Sequence, residues 1–358
     1  MGPNAAGKTS LLEAMVLLAW GRSHRTSSES ELVRWGADLA RVEGRVVPSL
    51  TLESPADATI LEVALVHEGA GVRKRIRVNG VARRASALAD ALRVVIFAPE
   101  EMLLVAGSPG LRRAALDTIV TAHHPAHAIE LAAYSRTLQQ RNGLLRALRE
   151  ETAGRDELQF WDHALLNAGS VIVERRLETL AAISGPLRRA HDEIAPDEGH
   201  LTLSYETNAP ARPGESVRGA LERRLAETAD KEIWNGTTLI GPHRDDFAFE
   251  LEGRDLSGFG SRGQQRTAIL ALKLAELDLS TEAAGSPPLL LLDDVFSELD
   301  PERRAHLVRR IAELPQAFVT TTTLDDIDPA LRAVATSWQV ATSPDGATVG
   351  GPRTMVAG

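Results

Sequence analysis

A chain of 358 residues, 43% hydrophobic, with a formal charge of −9, is long enough for two or three domains and carries no global basic signature for nucleic acid. The absence of cysteine excludes disulfides, thiolate catalysis and cysteine-held zinc. No apolar run reaches the length of a membrane span and the N-terminus lacks the basic start of a signal peptide, so a cytoplasmic protein with no membrane partner is expected.

The first ten residues, MGPNAAGKTS, read G-x-x-x-x-G-K-T from Gly2, the spacing of a phosphate-binding loop. Such a loop ordinarily leaves a buried strand and enters a helix. Here it starts at residue 2, so the expectation is that its leading strand is missing from this chain and that Gly2 and Pro3 are loosely held. The run 9–20, TSLLEAMVLLAW, is apolar almost all round, as in a helix wrapped by sheet, and Gly21 is a natural stop. Strand-like stretches follow at 41–47, 59–67 and 72–81. The last two alternate as an antiparallel ribbon with Asn79-Gly80 as a turn. A continuous apolar strand, 92–100, is halted by Pro99.

From about residue 109 to 192 the sequence is rich in Leu, Ala, Arg and Glu at helical spacing, predicting long helices broken at Pro125, Gly154 and Pro186. A strand at 201–206 and a helix near 215–234 close this stretch. A strand at DDFAFELEG, a helix at 262–280, a buried strand LLLLDD (289–294), a helix PERRAHLVRRIAEL and a strand QAFVTTTT then follow. The expected fold class is α/β, with a nucleotide-binding head formed by both chain ends, 1–107 and 237–358, around an inserted, mainly helical arm, 108–236.

Three elements carry chemistry. In the opening loop (Gly2, Pro3, Asn4, Ala5, Ala6, Gly7, Lys8, Thr9 and Ser10) the glycines permit close approach to phosphate, Lys8 reaches the terminal phosphates and the Thr9 hydroxyl is placed for Mg²⁺. LLLLDD ends a buried strand in two carboxylates at the edge where open α/β sheets bind ligands. Asp293 is the expected metal ligand, and Asp294 the group that polarises the attacking water. SRGQQ (Ser261, Arg262, Gly263, Gln264, Gln265) opens a helix and makes a second anion site. One nucleotide uses only one such helix start within a subunit, so a second nucleotide or a second subunit is implied. Asp300, before Pro301, reads as a helix N-cap.

Together these motifs resemble the ATP-binding-cassette class of P-loop ATPases, in the branch that contains Rad50, the SMC proteins and RecF. GPNAAGKT is similar to the branch's G-x-N-G-x-G-K-[ST], SRGQQ to its signature motif, LLLLDD to its Walker B strand and SELD (297–300) to its D-loop. Within the branch the chain resembles the RecF family most, through FAPEEMLLVAGSPGLRRAALD (97–117), QQRNGLLR (139–146) and GPHRDDF (241–247) as well. The resemblance implies an ABC-type ATPase head that binds ATP and Mg²⁺ and dimerises with ATP sandwiched between subunits. Ser261 and Gly263 of one copy then face the γ-phosphate held by Lys8 of the other, with Asp300 in the D-loop. It also implies slow hydrolysis, DNA binding at single-strand gaps or single-strand/duplex junctions, and work with RecR and RecO to load RecA.

Departures are visible. Ala5 replaces a glycine, Asp294 stands where many relatives have Glu, and Thr322 or Thr323 occupies the region of a switch histidine. Glu100 or Glu101 stands for the glutamine that often ends the strand before the arm. For DNA the candidates are Arg22, Arg25, Arg73, Arg75, Arg77, Arg112 and Arg113. Residues 73, 75 and 77 give one basic strand face, which equally reads as a charged edge strand guarded against aggregation. His243 and Arg244 contact phosphate or a partner, or else belong to a turn held by Asp245 and Asp246. The rival reading from another class is a non-hydrolysing DNA or protein scaffold with an impaired nucleotide site.

Overall fold

The computed structural model describes residues 1–47, 58–69, 71–343 and 346–354. The chain divides into two compact units. The first comprises Met1–Met102, Glu193–Ala195 and Leu270–Gly358, and the second Leu103–Asp192 and Pro196–Ile269. No described helix is long and apolar enough to cross a membrane.

The first unit is built around the helix Lys8–Trp20. One side of it buries Leu12, Val16 and Ala19 against Val94, Ile96 and Leu291 of a parallel sheet. Its other side packs Leu17 and Leu18 against Leu61, Val63, Leu65 and Ile76 of an antiparallel ribbon. Being covered by sheet on two sides is why this helix is apolar all round. Gly21 ends it in the left-handed region at φ 67°, with its N–H on the Leu17 carbonyl.

The parallel sheet runs in the order Ala317–Thr320, Leu289–Asp293, Val94–Phe97. Its register sets Thr320 beside Asp293 and Phe97 beside Leu292. The ribbon pairs Leu39–Val46 with Thr59–Glu68, then Gly71–Val78, then Val81–Ala82. The Asn79-Gly80 turn therefore joins the third strand to this short fourth one, where both residues take the positive φ that Asn-Gly hairpins supply, 51° and 76°.

The second unit holds the helices Pro109–His123, His127–Arg149, Leu158–Ile194 and Val217–Asn235. Two expectations are corrected. Pro186 does not break its helix, which runs 37 residues through it. Ile183, Leu187 and Ala190 are buried on either side of the proline, and that packing outweighs the one lost backbone bond. Nor does this unit end near residue 236. Leu201–Glu206 pairs antiparallel with Asp246–Leu251, so residues up to 269, assigned from sequence to the head, cluster with the helices.

Candidate nucleotide and metal site

The opening loop is a defined turn in the structure. The Gly2 N–H donates to the Thr321 carbonyl at 3.3 Å, and Ala6 N–H to the Pro3 carbonyl at 3.3 Å. The Val340 N–H reaches the Met1 carbonyl at 2.7 Å, so Met1 and Gly2 are held from two sides, against the expectation that Gly2 is loose. Gly2 is glycine by necessity, since a Cβ there would stand 2.2 Å from the Val340 carbonyl oxygen. Ala5 adopts φ 61°, the left-handed region that costs a non-glycine residue about 1 kcal/mol or more, so the departure at this position is a strained one. Pro3, Asn4 and Ala5 are exposed, Ala6 is buried, and Gly7 caps the helix at φ 99°. Thr9 and Ser10 occupy the first turn.

Lys8 is 7% exposed and its ammonium donates to the carbonyls of Gly2 and Pro3 at 2.7 and 3.0 Å. The lysine thus lies folded into its own loop, where its charge is solvated by two backbone carbonyls.

Asp293 ends the central strand and is 4% exposed. Its Oδ1 accepts from the Thr320 hydroxyl at 2.5 Å, and the same hydroxyl oxygen accepts the Asp294 N–H at 3.1 Å. Asp294 turns out of the strand at φ 54°. Thr320 was not singled out from sequence. The threonine run was the available signal, but only the parallel register shows which member meets Asp293. Thr321, Thr322 and Thr323 are occupied instead with Asp326. The loop and the acidic strand are joined through this strand, because Gly2 binds Thr321 and Thr320 binds Asp293. Thr9 and Asp293 offer hard oxygen donors, the chemistry Mg²⁺ takes.

Two neighbouring acids have different fates. Glu101 forms a buried ion pair with Lys273, 2.5 Å away, and Lys273 also holds Glu276 at 3.0 Å. Burial pushes the Glu101 carboxyl up to about 7 despite that lysine. Its position is structural, tying the segment Pro99–Met102 to the helix Arg262–Ala284. Glu100 instead pairs with Arg25 at 3.3 Å, and Arg25 also lies 3.6 Å from Glu13. Ser23 of the same loop donates to Glu13 and accepts the N–H groups of Arg25 and Thr26. His24, between them, has both ring nitrogens buried without a partner, and desolvation lowers its pKa in the field of Glu13, Glu100 and Asp293.

In the second unit Ser261 opens the helix Arg262–Ala284 with a reciprocal cap. The Ser261 N–H donates to Gln264 Oε1 at 2.9 Å and the Gln264 N–H to Ser261 Oγ at 3.2 Å. Ser261 and Arg262 are exposed, and Gly263 is partly covered. In the first unit Asp300 caps Pro301–Ala312, accepting the Arg303 N–H at 3.0 Å.

The arginines expected at DNA separate. Arg73, Arg75 and Arg77 remain exposed on the ribbon. Arg22 lies 5.9 Å over the Trp20 ring. Arg112, only 13% exposed, makes a bidentate pair with Asp246 at 2.6 and 2.8 Å, and Arg113 donates to the Asp245 carbonyl at 2.9 Å. These two are corrected to structural residues, because the chain returns over them at GPHRDDF. Arg25, 41% exposed, pairs with Glu100 at 3.3 Å and Glu13 at 3.6 Å.

That return also settles His243. The Tyr134 hydroxyl donates to His243 Nδ1 at 2.7 Å, and Tyr205 donates to Asp245 Oδ2 at 2.8 Å. Arg176 clasps Asp117 with two 2.8 Å bonds and the Pro242 carbonyl with a third. Gly241 is required because a Cβ would stand 2.3 Å from the Tyr134 hydroxyl. Arg244 donates to the Thr238 carbonyl at 3.1 Å. Desolvation pushes the His243 pKa down to about 4, below its unfolded value of 6.5, so the folded chain keeps this ring neutral. Its stabilising contribution is complete above pH 6.5 and is lost as pH falls toward 4, by roughly 3 kcal/mol at the acid end. Urea unfolding at pH 7 and pH 4.5 is expected to show that loss, and His243→Gln to flatten it; equal slopes for the two proteins would refute the assignment.

Comparison with known proteins gives a consistent result. Residues 1–342 match the family model described as RecF/RecN/SMC N terminal domain. A DNA replication and repair protein RecF from Symbiobacterium thermophilum is 41% identical over 332 residues, covering 91% of this chain and 85% of that protein. The Bacillus subtilis protein of the same description is 38% identical over 333 residues, covering 92% and 87%. A solved structure, the recombination mediator protein RecF-ATPrS in the RecFOR pathway, is 32% identical with a TM-score of 0.83, covering 94% of this chain and 88% of that one.

Proposed function

The chain belongs to the RecF family, and from that premise we propose that it is an ATP-dependent DNA-binding ATPase of recombinational repair and replication. The observation that carries the reading is the linkage of the Lys8 loop to Asp293 through Thr320 and Thr321. An NTPase needs its phosphate-binding amine and its acidic strand end fixed relative to each other, and here one strand fixes both.

On this reading ATP lies with its phosphates in the loop Gly2 to Ser10. Lys8 exchanges its two carbonyl partners for phosphate oxygens, at no cost in burial. The Thr9 hydroxyl and Asp293 would hold Mg²⁺, which would supply positive charge against that developing on the phosphates. Thr320 fixes the Asp293 carboxylate, and Asp294 orients the attacking water. The shorter reach of Asp than Glu fits slow turnover.

Two helix starts suited to anions in one chain support a dimer in which Ser261 and Gly263 of one copy close over the nucleotide held by Lys8 of the other. ATP binding then drives assembly on DNA at single-strand gaps, with RecR- and RecO-type partners and RecA loading downstream, and hydrolysis resets it. Light scattering is expected to show a dimer with ATP and Mg²⁺ and a monomer without. Ser261→Arg, which fills the cap position with a bulky cation, is expected to keep nucleotide binding and abolish the dimer. A Ser261→Arg protein that still dimerised would sink the sandwich.

A further inference from the structure

We propose that the outer face of the antiparallel ribbon grips the DNA phosphate backbone, with Glu62 as an internal counter-ion that phosphate displaces. The proposal rests on the DNA-binding reading above and names its surface.

Register decides which residues share this face. Across the three long strands the rows are Leu39, Val66, Arg73, then Arg41, Ala64, Arg75, then Glu43, Glu62, Arg77, with Arg45 opposite Ile60 in the next row. The opposite face carries Leu61, Val63, Leu65 and Ile76, buried on Leu17 and Leu18 of the first helix. One face is therefore spent on the core, and the other presents exposed arginines among the described residues. Arg41 and Arg45, invisible as part of a patch in the sequence, join Arg73, Arg75 and Arg77 there. Among the described residues of the face, five arginines meet three carboxylates, Glu43, Glu62 and Glu68.

Glu62 is the centre of this arrangement. Its side chain is 13% exposed, and it accepts from Arg41 at 2.6 and 3.1 Å and from Arg77 at 3.3 Å, drawing arginines of both flanking strands over one carboxylate. Glu68 takes Arg75 at 3.0 Å and Arg73 at 3.5 Å. Arg41, Arg73, Arg75 and Arg77 are half exposed or more, from 50% to 65%, and Arg45 is exposed as well. Glu68 is 44% exposed, and exposed pairs of this kind stabilise a fold by only about 0–1 kcal/mol, so Arg73 and Arg75 can leave it for phosphate at little cost. Arg41 and Arg77 exchange against the more buried Glu62 and give up more in doing so. A guanidinium gains a bidentate, charge-assisted contact in the exchange. Same-face residues recur about every 6.7 Å along a strand, with strands about 4.8 Å apart, giving a regular grid of donors. The described face has no aromatic side chain, so it suits phosphates rather than stacked bases.

The test is fluorescence anisotropy with a labelled gapped duplex in ATP and Mg²⁺, repeated from 50 to 200 mM salt. The combined variant Arg41→Gln, Arg45→Gln, Arg75→Gln is expected to bind at least tenfold more weakly at low salt. Its log–log salt slope should flatten by about 2 to 3, as for three lost phosphate contacts. Glu62→Gln, which removes the counter-ion and keeps the side chain's size, is expected to bind severalfold tighter. A triple variant with intact ATP binding and wild-type affinity and slope would overturn the proposal, and would mark the face as one for an acidic protein surface instead. Glu62→Gln binding no tighter than wild type would overturn its counter-ion role, whatever the triple variant does to folding. A wild-type chain that binds ATP but no DNA overturns the functional reading itself, a result distinct from either.

Discussion

Lys8→Ala is expected to lower ATP hydrolysis by about 10²- to 10³-fold, the effect of removing one pre-placed positive donor from a transition state that is almost wholly electrostatic. The loss has two sources. In the free protein the ammonium bridges the Gly2 and Pro3 carbonyls, so its removal takes a donor from both and leaves the Pro3 carbonyl with the Ala6 N–H alone. On the proposed reading it also removes, in the nucleotide complex, the charge that faces the terminal phosphates. Lys8→Met, which keeps the stem in its buried track, separates the two. It should retain more of the thermal stability than Lys8→Ala and still lose hydrolysis. Phosphate release under saturating ATP, read beside the melting midpoint of each variant, checks this. Undiminished hydrolysis in both would mean that another group serves the phosphates.

Arg141→Ala is expected to be the most damaging single change to stability in the second unit, by about 3–5 kcal/mol. Arg141 is 2% exposed and reaches Asp162 at 2.7 Å, Thr238 at 2.8 Å and Glu232 at 2.7 Å, and Glu232 is itself fully buried. Truncation strands the charge of Glu232, whose side chain is shut off from bulk solvent, without its cation. That cost is a large part of the 5–15 kcal/mol that holds a typical domain together. Glu232 Oε1 also accepts the Leu239 N–H at 2.7 Å, so replacing Glu232 by an apolar residue would open a second fault. The double variant Arg141→Met, Glu232→Gln removes both charges while keeping an acceptor for Leu239, and is expected to recover most of the loss. Urea midpoints of the single and double variants decide the matter; equal destabilisation by both would show that packing, not the stranded charge, is at stake.

The two results bear differently on what can be read from residues in a row. The glycine-rich turn and the acidic strand end were legible because their conformation is local. Glycine spacing sets the turn, four leucines set a buried strand, and two aspartates stand at its end, the edge proposed above for a cation. Asp300 before Pro301 announces a helix start for the same reason. QQRNGLLR and GPHRDDF carry the family resemblance in sequence but not the roles of their charges. Arg141 and Asp246 look like surface charges until their partners arrive, 91 residues away for Arg141–Glu232 and 134 for Arg112–Asp246.

Hydrophobic period and turn chemistry thus determined the α/β order, the motifs and the apolar character of the first helix, whose Leu12, Val16, Leu17, Leu18 and Ala19 are buried. Pairing across distance belonged to the tertiary structure alone. It chose Thr320, 27 residues beyond Asp293, as that carboxylate's partner. It withdrew Arg112 and Arg113 from solvent, set Arg41 and Arg45 in rows with Arg73, Arg75 and Arg77, and carried the helix through Pro186. The physical reason is common to all of these. A backbone conformation depends on a few neighbouring side chains, whereas the worth of a charge or a hydroxyl depends on what excludes water from it, and that is fixed only when distant segments pack.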